Sequence, residues 1–355
     1  MNYPLLEKLT LVIFTYNRHK YLKRTLMYWS KYNIKLLILD GSDIEFRDSC
    51  LEGKNIKYIY GPKDLYKRLL SSINHIETEF MIMGSDDEFY LPSGLISCID
   101  FLIKEISFSC CGGVALGFGK KEEKKFFGQE RYPALKNLIL DHDFAAERIQ
   151  KHFSNYVPAH FCSVIRSNIW KKICKHVFDK EFSFHAALEL QVEFLVLVNG
   201  KTKIISELMW MRNMNENTPH RGTSPATTFS FTINDWWNDK RYENEKKDFL
   251  YRMKNACEEI GESENSKLKE DKIAEFFKLY IYKVYLNQSL LRKILNSINP
   301  KIKKFIKSTL GLKKNLDNQS IEDQAKILET QGILVNHKDL DLIVSTLKNI
   351  KIEVK

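Results

Sequence analysis

The sequence predicts an α/β fold, a doubly wound and mostly parallel sheet with a helical extension at its C-terminal end. Three observations carry this. Short β-prone runs alternate with helical stretches through the first half of the 355 residues, the pattern of βαβ units. The runs are apolar throughout, as expected of strands covered on both faces. Three of them stop at polar turns, after Thr15, Leu39 and Met83. A parallel sheet brings such turns together along its carboxyl edge, where ligands bind.

In order, residues 9–15 form the first run, broken by Tyr16-Asn17-Arg18. Residues 19–32 read as a helix with Tyr21, Leu22, Leu26 and Trp29 on one side. Residues 34–39 are the second strand, stopped by Asp40-Gly41-Ser42-Asp43. Residues 56–60 are the third, ended by Gly61-Pro62. Residues 65–76 are helical and 80–83 the fourth strand. A helix over 93–105 and a strand over 108–118 follow, then a charged turn at 120–125. Residues 132–152 carry a weak helical pattern. Residues 161–165 read as a strand, 167–177 as a helix, and 184–199 as an apolar helix stopped by Gly200. Residues 203–211 are the last strand, 212–225 a polar loop, and 229–260 helical; the rest is helical and basic, then polar. This divides the chain into a sheet domain over 1–225 and a mainly helical extension over 226–355.

Composition bounds the function. The formal net charge is +10, and the ten Lys and Arg residues between Phe276 and Leu316, a stretch without Asp or Glu, equal the whole excess. The same stretch holds Tyr280, Tyr282, Tyr285 and Phe305 among apolar residues at helical spacing. It can dock on an anionic membrane surface or pack on the sheet domain with its lysines solvated. No recognition motif accompanies the charge, so nucleic acid is not an expected partner. The seven cysteines show no metal-ligand spacing, and Cys110-Cys111 suit reduced, partly buried thiols. With no secretory pattern at the start and no apolar run of about 18 residues, the reading is a cytoplasmic chain, peripheral on the inner membrane face if the basic stretch docks.

The chemistry concentrates at Gly84-Ser85-Asp86-Asp87-Glu88. Adjacent carboxylates repel, so they need hydration or a cation, and oxygen clusters suit Mg2+ or Mn2+. The plain alternative is a helix cap, with Ser85 or Asp86 capping the next helix.

Taken with their neighbours, these residues resemble the family-2-type glycosyltransferases of the GT-A (Rossmann-like) fold, the bacterial surface-glycan enzymes among them. Val12-Ile13-Phe14-Thr15-Tyr16-Asn17-Arg18 is similar to that family's opening motif, Leu37-Ile38-Leu39-Asp40-Gly41-Ser42 to its second, and Ser85-Asp86-Asp87-Glu88, followed by Pro92, to its acidic metal motif. The resemblance spans roughly residues 8–215. It implies transfer of a sugar from a nucleotide-sugar donor, a UDP-sugar favoured, to a glycan or lipid-linked acceptor in capsule or lipopolysaccharide synthesis, with inversion. Thr15 and Asp40, in a turn with Gly41 and Ser42, would hold the base, Asp40 accepting from an imide N–H. Tyr16 and Asn17 would line the base, and Arg18 or Lys63 approach the diphosphate. Ser85 and Asp86 would face the ribose, and Asp87, Glu88 or Asp86 the Mg2+ or Mn2+ ion. Glu189 is the first candidate base and Glu193 the second; otherwise both are the polar face of their helix. His220 would close over the metal, with Arg212 and Arg221 on phosphate or acceptor. Leu39 replaces the first Asp of the family's second motif, and the helix of Glu189 lacks the family's Asp. These departures keep other readings open: transfer of another nucleotide-activated group, nucleotidyl transfer, or a degenerate binding module.

Overall fold

The computed structural model describes residues 3–122, 125–214, 231–261, 267–283 and 319–349. Its centre is a ten-stranded sheet. Strands β1 (Leu9–Thr15), β2 (Lys35–Asp40), β3 (Ile56–Tyr60) and β4 (Phe80–Ser85) run parallel in the order β3-β2-β1-β4. Beyond β4 the order continues β9 (Val164–Arg166), β6 (Phe108–Glu122), β10 (Lys201–Asn213) and β5 (Phe89–Tyr90). β6 and β10 are parallel to each other, whereas β9 and β5 are antiparallel to their neighbours. β7 (Lys125–Arg131) extends β6 as a hairpin partner and the short β8 (Ile139–Leu140) pairs with β10.

Continuous apolar strands demand cover on both faces, and the side chains sort accordingly. Leu11, Ile13, Leu36, Ile38 and Ile82 enter one core with helices α1 (His19–Trp29) and α3 (Pro92–Lys104). Val12, Leu37, Leu39, Met81 and Met83 enter the other with α2 (Leu65–Ser72), α4 (Ala145–Ser154), α5 (Ser167–Val177) and α6 (Ala187–Asn199). The alternation is the strand period of two, each face apolar. β6 and β10 approach closely at Gly113, where a Cβ would lie 2.5 Å from that of Met209; a register shift follows at Leu208.

The helices beyond the sheet share both cores. α7 (Ile233–Asn238), α8 (Glu243–Ile260) and α9 (Glu270–Ile281) join the second, and α10 (Ile321–Thr330) and α11 (His337–Asn349) join the first. Phe276, Phe277, Tyr280 and Ile281, which open the basic stretch, are buried there; Phe277 stacks on Phe194 at 5.6 Å. Residues 284–316 of that stretch lie outside the described residues. No helix among the described residues is long and apolar enough to cross a membrane.

The differences from the sequence reading lie where periodicity is weakest. Residues 125–131, in and beyond the expected charged turn, form β7 because they pair with β6. The weak helix over 132–152 resolves into a 3-10 turn, β8 and α4. The helix expected over 229–260 is interrupted after Asn238, where Asp239 caps a 3-10 turn. All seven cysteines are free thiols.

Candidate functional site

Three strand ends meet at one edge. Thr15 closes β1, buried, and its hydroxyl donates to Asp86 Oδ2 at 2.6 Å. Asn17 adopts a left-handed conformation with φ 55°, which asparagine tolerates better than most residues. Its N–H donates to Ser42 Oγ at 2.8 Å and its side-chain amide to Asp43 at 2.7 Å, so the first two turns are stitched together. Tyr16 is half-buried beside them, and exposed Lys63 pairs with Asp43.

Asp40 lies beneath these turns, fully buried. Its Oδ1 accepts the Ser42 N–H at 2.8 Å and its Oδ2 the Tyr58 hydroxyl at 2.7 Å. His19 Nε2 stands 3.6 Å away, its ring against Phe46 at 5.1 Å. Gly41 leaves room for the Arg68 guanidinium, since a Cβ there would fall 1.1 Å from Arg68 Nη1. Arg68 is itself buried and donates to the Thr15 carbonyl.

The acidic turn is not a helix cap. The N-cap of α3 is Leu91, the short β5 lies between, and the Ser93 N–H is taken by Asp339 of α11 at 2.8 Å. Arg18 instead bridges the two aspartates, 3.1 Å from Asp86 and hydrogen-bonded to Asp87. Asp87 also accepts from Ser85 at 2.6 Å and Asn213 at 3.1 Å. Burial would raise its carboxyl, but Arg18 and these donors outweigh it and hold Asp87 below the usual carboxylate range. Glu88 is the reverse case. Burial first, then the charge of Asp87, push it up to about 7, although the Trp210 indole donates to it at 2.9 Å.

This donor set fits a hard divalent cation. The acidic groups offer carboxylate oxygens, with Arg18 paired between Asp86 and Asp87 and Glu88 raised by burial first and then by the charge of Asp87. Glu88 Oε1 stands 3.9 Å from the Arg212 guanidinium, beyond hydrogen-bond reach.

The two glutamates of α6 have different surroundings. Glu189 is partly exposed. Burial of its carboxyl pushes it up to about 7 against the hydrogen bond it accepts from the Tyr156 hydroxyl at 2.5 Å. Glu193 is fully buried and engaged on every side. It accepts the N–H groups of Ala159, His160 and Phe161 at 3.3, 2.7 and 3.0 Å. His152 Nε2 lies 2.9 Å and His160 Nδ1 2.6 Å from it. Burial is overcome by these neighbours, which hold Glu193 well below the usual carboxylate range. The arrangement anchors the loop between α4 and β9, and that loop carries Tyr156. Cys162, on the same loop, has its thiol raised by burial first and then by the charge of Glu88.

The structure thus brings together Thr15, Asn17, Arg18, Ser42, Ser85, Asp86, Asp87, Glu88 and Arg212. His220 and Arg221 lie outside the described residues. Sequence reasoning missed Tyr58, Arg68, Tyr156 and Trp210. Tyr58 and Trp210 lie within strand runs, Arg68 within a helical stretch, and Tyr156 in no motif.

No known family model matches the chain, and no curated protein matches it in sequence. Among solved structures it is similar to S. aureus TarS 1-349, with TM-score 0.48 and 11% identity over 96% of this chain and 89% of that one. The same S. aureus protein in complex with UDP-GlcNAc gives TM-score 0.48 and 12% identity over 96% and 90% of the two chains. A longer TarS structure gives TM-score 0.46 and 12% identity, with 96% of this chain and 54% of that chain covered.

Proposed function

We propose that the chain is a glycosyltransferase that moves a sugar from a nucleotide-sugar donor to an acceptor hydroxyl, assisted by Mg2+ or Mn2+. The observation that carries the reading is the direct hydrogen bonding and ion pairing among three strand-end turns whose motifs resemble one family: hydrogen bonds from Thr15 to Asp86 and Asn17 to Ser42, and ion pairs from Arg18 to both aspartates. The base, uracil in the favoured donor, would lie over the first two turns. Buried Asp40 would act through Tyr58 and Ser42, which it orients, because both its oxygens are already engaged. Asp87 and Glu88 would hold the cation, which neutralises charge developing on the leaving diphosphate. Arg18 would turn from Asp87 toward the phosphates.

Glu189 is the proposed base. It must take a proton from the acceptor hydroxyl as the glycosidic bond forms, and a carboxyl poised near 7 suits that task. Glu193 has no free lone pair for it. A single displacement from this face inverts the anomeric centre. A glycan or lipid-linked acceptor of a bacterial surface polysaccharide remains the proposed partner, with residues 276–316 as the proposed membrane contact.

A second reading has its own observation. Arg18 already pairs with both Asp86 and Asp87, so the turn has a cationic partner of its own and can stand in a nucleotide-binding module lacking transfer activity. Thermal shift of UDP with and without Mn2+, followed by turnover of a nucleotide-sugar panel, separates the two. The transferase reading expects Mn2+ to strengthen UDP binding in the wild type and not in Asp87→Asn. Equal UDP binding in both proteins, with no turnover of any donor, overturns it.

A further inference from the structure

One cluster at this edge is not accounted for by the base and cation contacts described above. β7 ends at Arg131, which is in register with Ala115 of β6, itself in register with Trp210 of β10. The next residue, Tyr132, is left-handed with φ 51°, a conformation a bulky residue keeps only when its surroundings demand it. Its ring stacks on Trp210, with centroids 5.6 Å apart and planes 14° from parallel. The guanidinium groups of Arg131 and Arg212 lie 5.1 and 5.2 Å from that ring, and Arg212 is 5.6 Å from Trp210. Two arginines thus share one aromatic platform.

Their charge is under-compensated. Arg212 faces Glu88 at 3.9 Å, beyond hydrogen-bond reach. Among the described residues Arg131 has no ion pair, and its Nε is buried without a hydrogen-bond partner. A planar guanidinium fork can pair bidentately with an oxyanion. The sheet order separates the cluster from the base pocket: Thr15 and Asp40 close β1 and β2 on one side of β4, whereas Arg131 and Arg212 belong to β7 and β10 on the other. The donor base and this oxyanion site therefore lie on opposite sides of the acidic turn.

We propose that Arg131 and Arg212, oriented by Tyr132 and Trp210, bind an oxyanion carried by the acceptor, so that the acceptor is a phosphorylated or acidic glycan and not a neutral one. The assignment to the acceptor rests on the donor reading of the acidic turn; the oxyanion site itself does not.

Calorimetry on the full chain, with and without UDP and Mn2+, tests it with glucose 1-phosphate, glucuronate and glucose. The wild type should bind at least one of the two anions about tenfold or more tighter than glucose, and the tighter anion distinguishes phosphate from carboxylate. Arg131→Gln should weaken that binding on the order of ten- to a hundredfold, and Arg131→Lys, which keeps the charge but loses the fork, by less. UDP affinity should be unchanged in both variants. The proposal is overturned if neither anion binds better than glucose, or if Arg131→Gln leaves anion binding intact. It is also overturned if UDP affinity falls in parallel, since the cluster would then serve the donor phosphates. Anion binding lost in Arg131→Gln in a protein that binds no UDP supports the oxyanion site while the donor reading fails.

Discussion

Tyr156→Phe isolates the chemistry of Glu189 with little disturbance of packing. The phenol donates to the Glu189 carboxylate, while its ring packs on Tyr280 at 4.7 Å and His152 at 5.3 Å, contacts that Phe keeps. A hydrogen bond to a charged group contributes about 1.5–3 kcal/mol, and each pKa unit is about 1.4 kcal/mol. The ionised form loses this support, so Glu189 should rise about one to two units above its wild-type position near 7. At pH 7 the wild-type base is about half ionised, and the variant about a tenth to a hundredth. Since the base acts only when ionised, turnover at pH 7 should fall about five- to fiftyfold and recover as pH is raised towards about 9. The assay is the pH profile of kcat under saturating donor and acceptor, with Glu189→Gln as the inactive reference. An unmoved inflection in Tyr156→Phe, or a loss that persists at high pH, refutes the argument that this bond sets the base.

Three further outcomes follow from the same geometry. Glu189 titrates near 7 when folded against an ordinary 4.5, so the wild type loses stability as pH rises between those values. Glu189→Gln should therefore be more stable above pH 7, by up to about 3 kcal/mol, and equal below about pH 4 in denaturant melts. Glu193→Gln should cost about 3–5 kcal/mol, because five donors lose their buried anion. Glu193 is held low, so its contribution is present above the unfolded carboxylate range and is lost as pH falls through the lowered folded value. Gly41→Ala must displace the Arg68 guanidinium, and should cost about 1–3 kcal/mol in the melt and weaken UDP binding.

Much of the fold was legible because β1, β2 and β4 are apolar on both faces and end abruptly in polar turns. The convergence of Thr15, Asp40 and Asp86 needed only the parallel order. β7 and β8 were illegible for other reasons: β7 is a polar, charged segment that exists by hairpin pairing with β6, and β8 is only two residues long and pairs with a strand distant in sequence. The break after Asn238 likewise rests on a local cap by Asp239 that competes with a continuous helical pattern.

At the site the division follows range. The sequence alone determined which residues cluster at the carboxyl edge, because strand ends and turn residues are local properties. It left open whether Ser85 or Asp86 capped a helix, which of two glutamates one turn apart on α6 was available, and where the arginines went. Tertiary structure decided these through burial and partner supply. Asp339 reached Ser93 from the far end of the chain, Glu193 was spent on a loop and two histidines, and Glu189 retained a single phenolic donor. A carboxylate's role depends on which donors surround it and how much water it keeps, and both are set by elements remote in sequence.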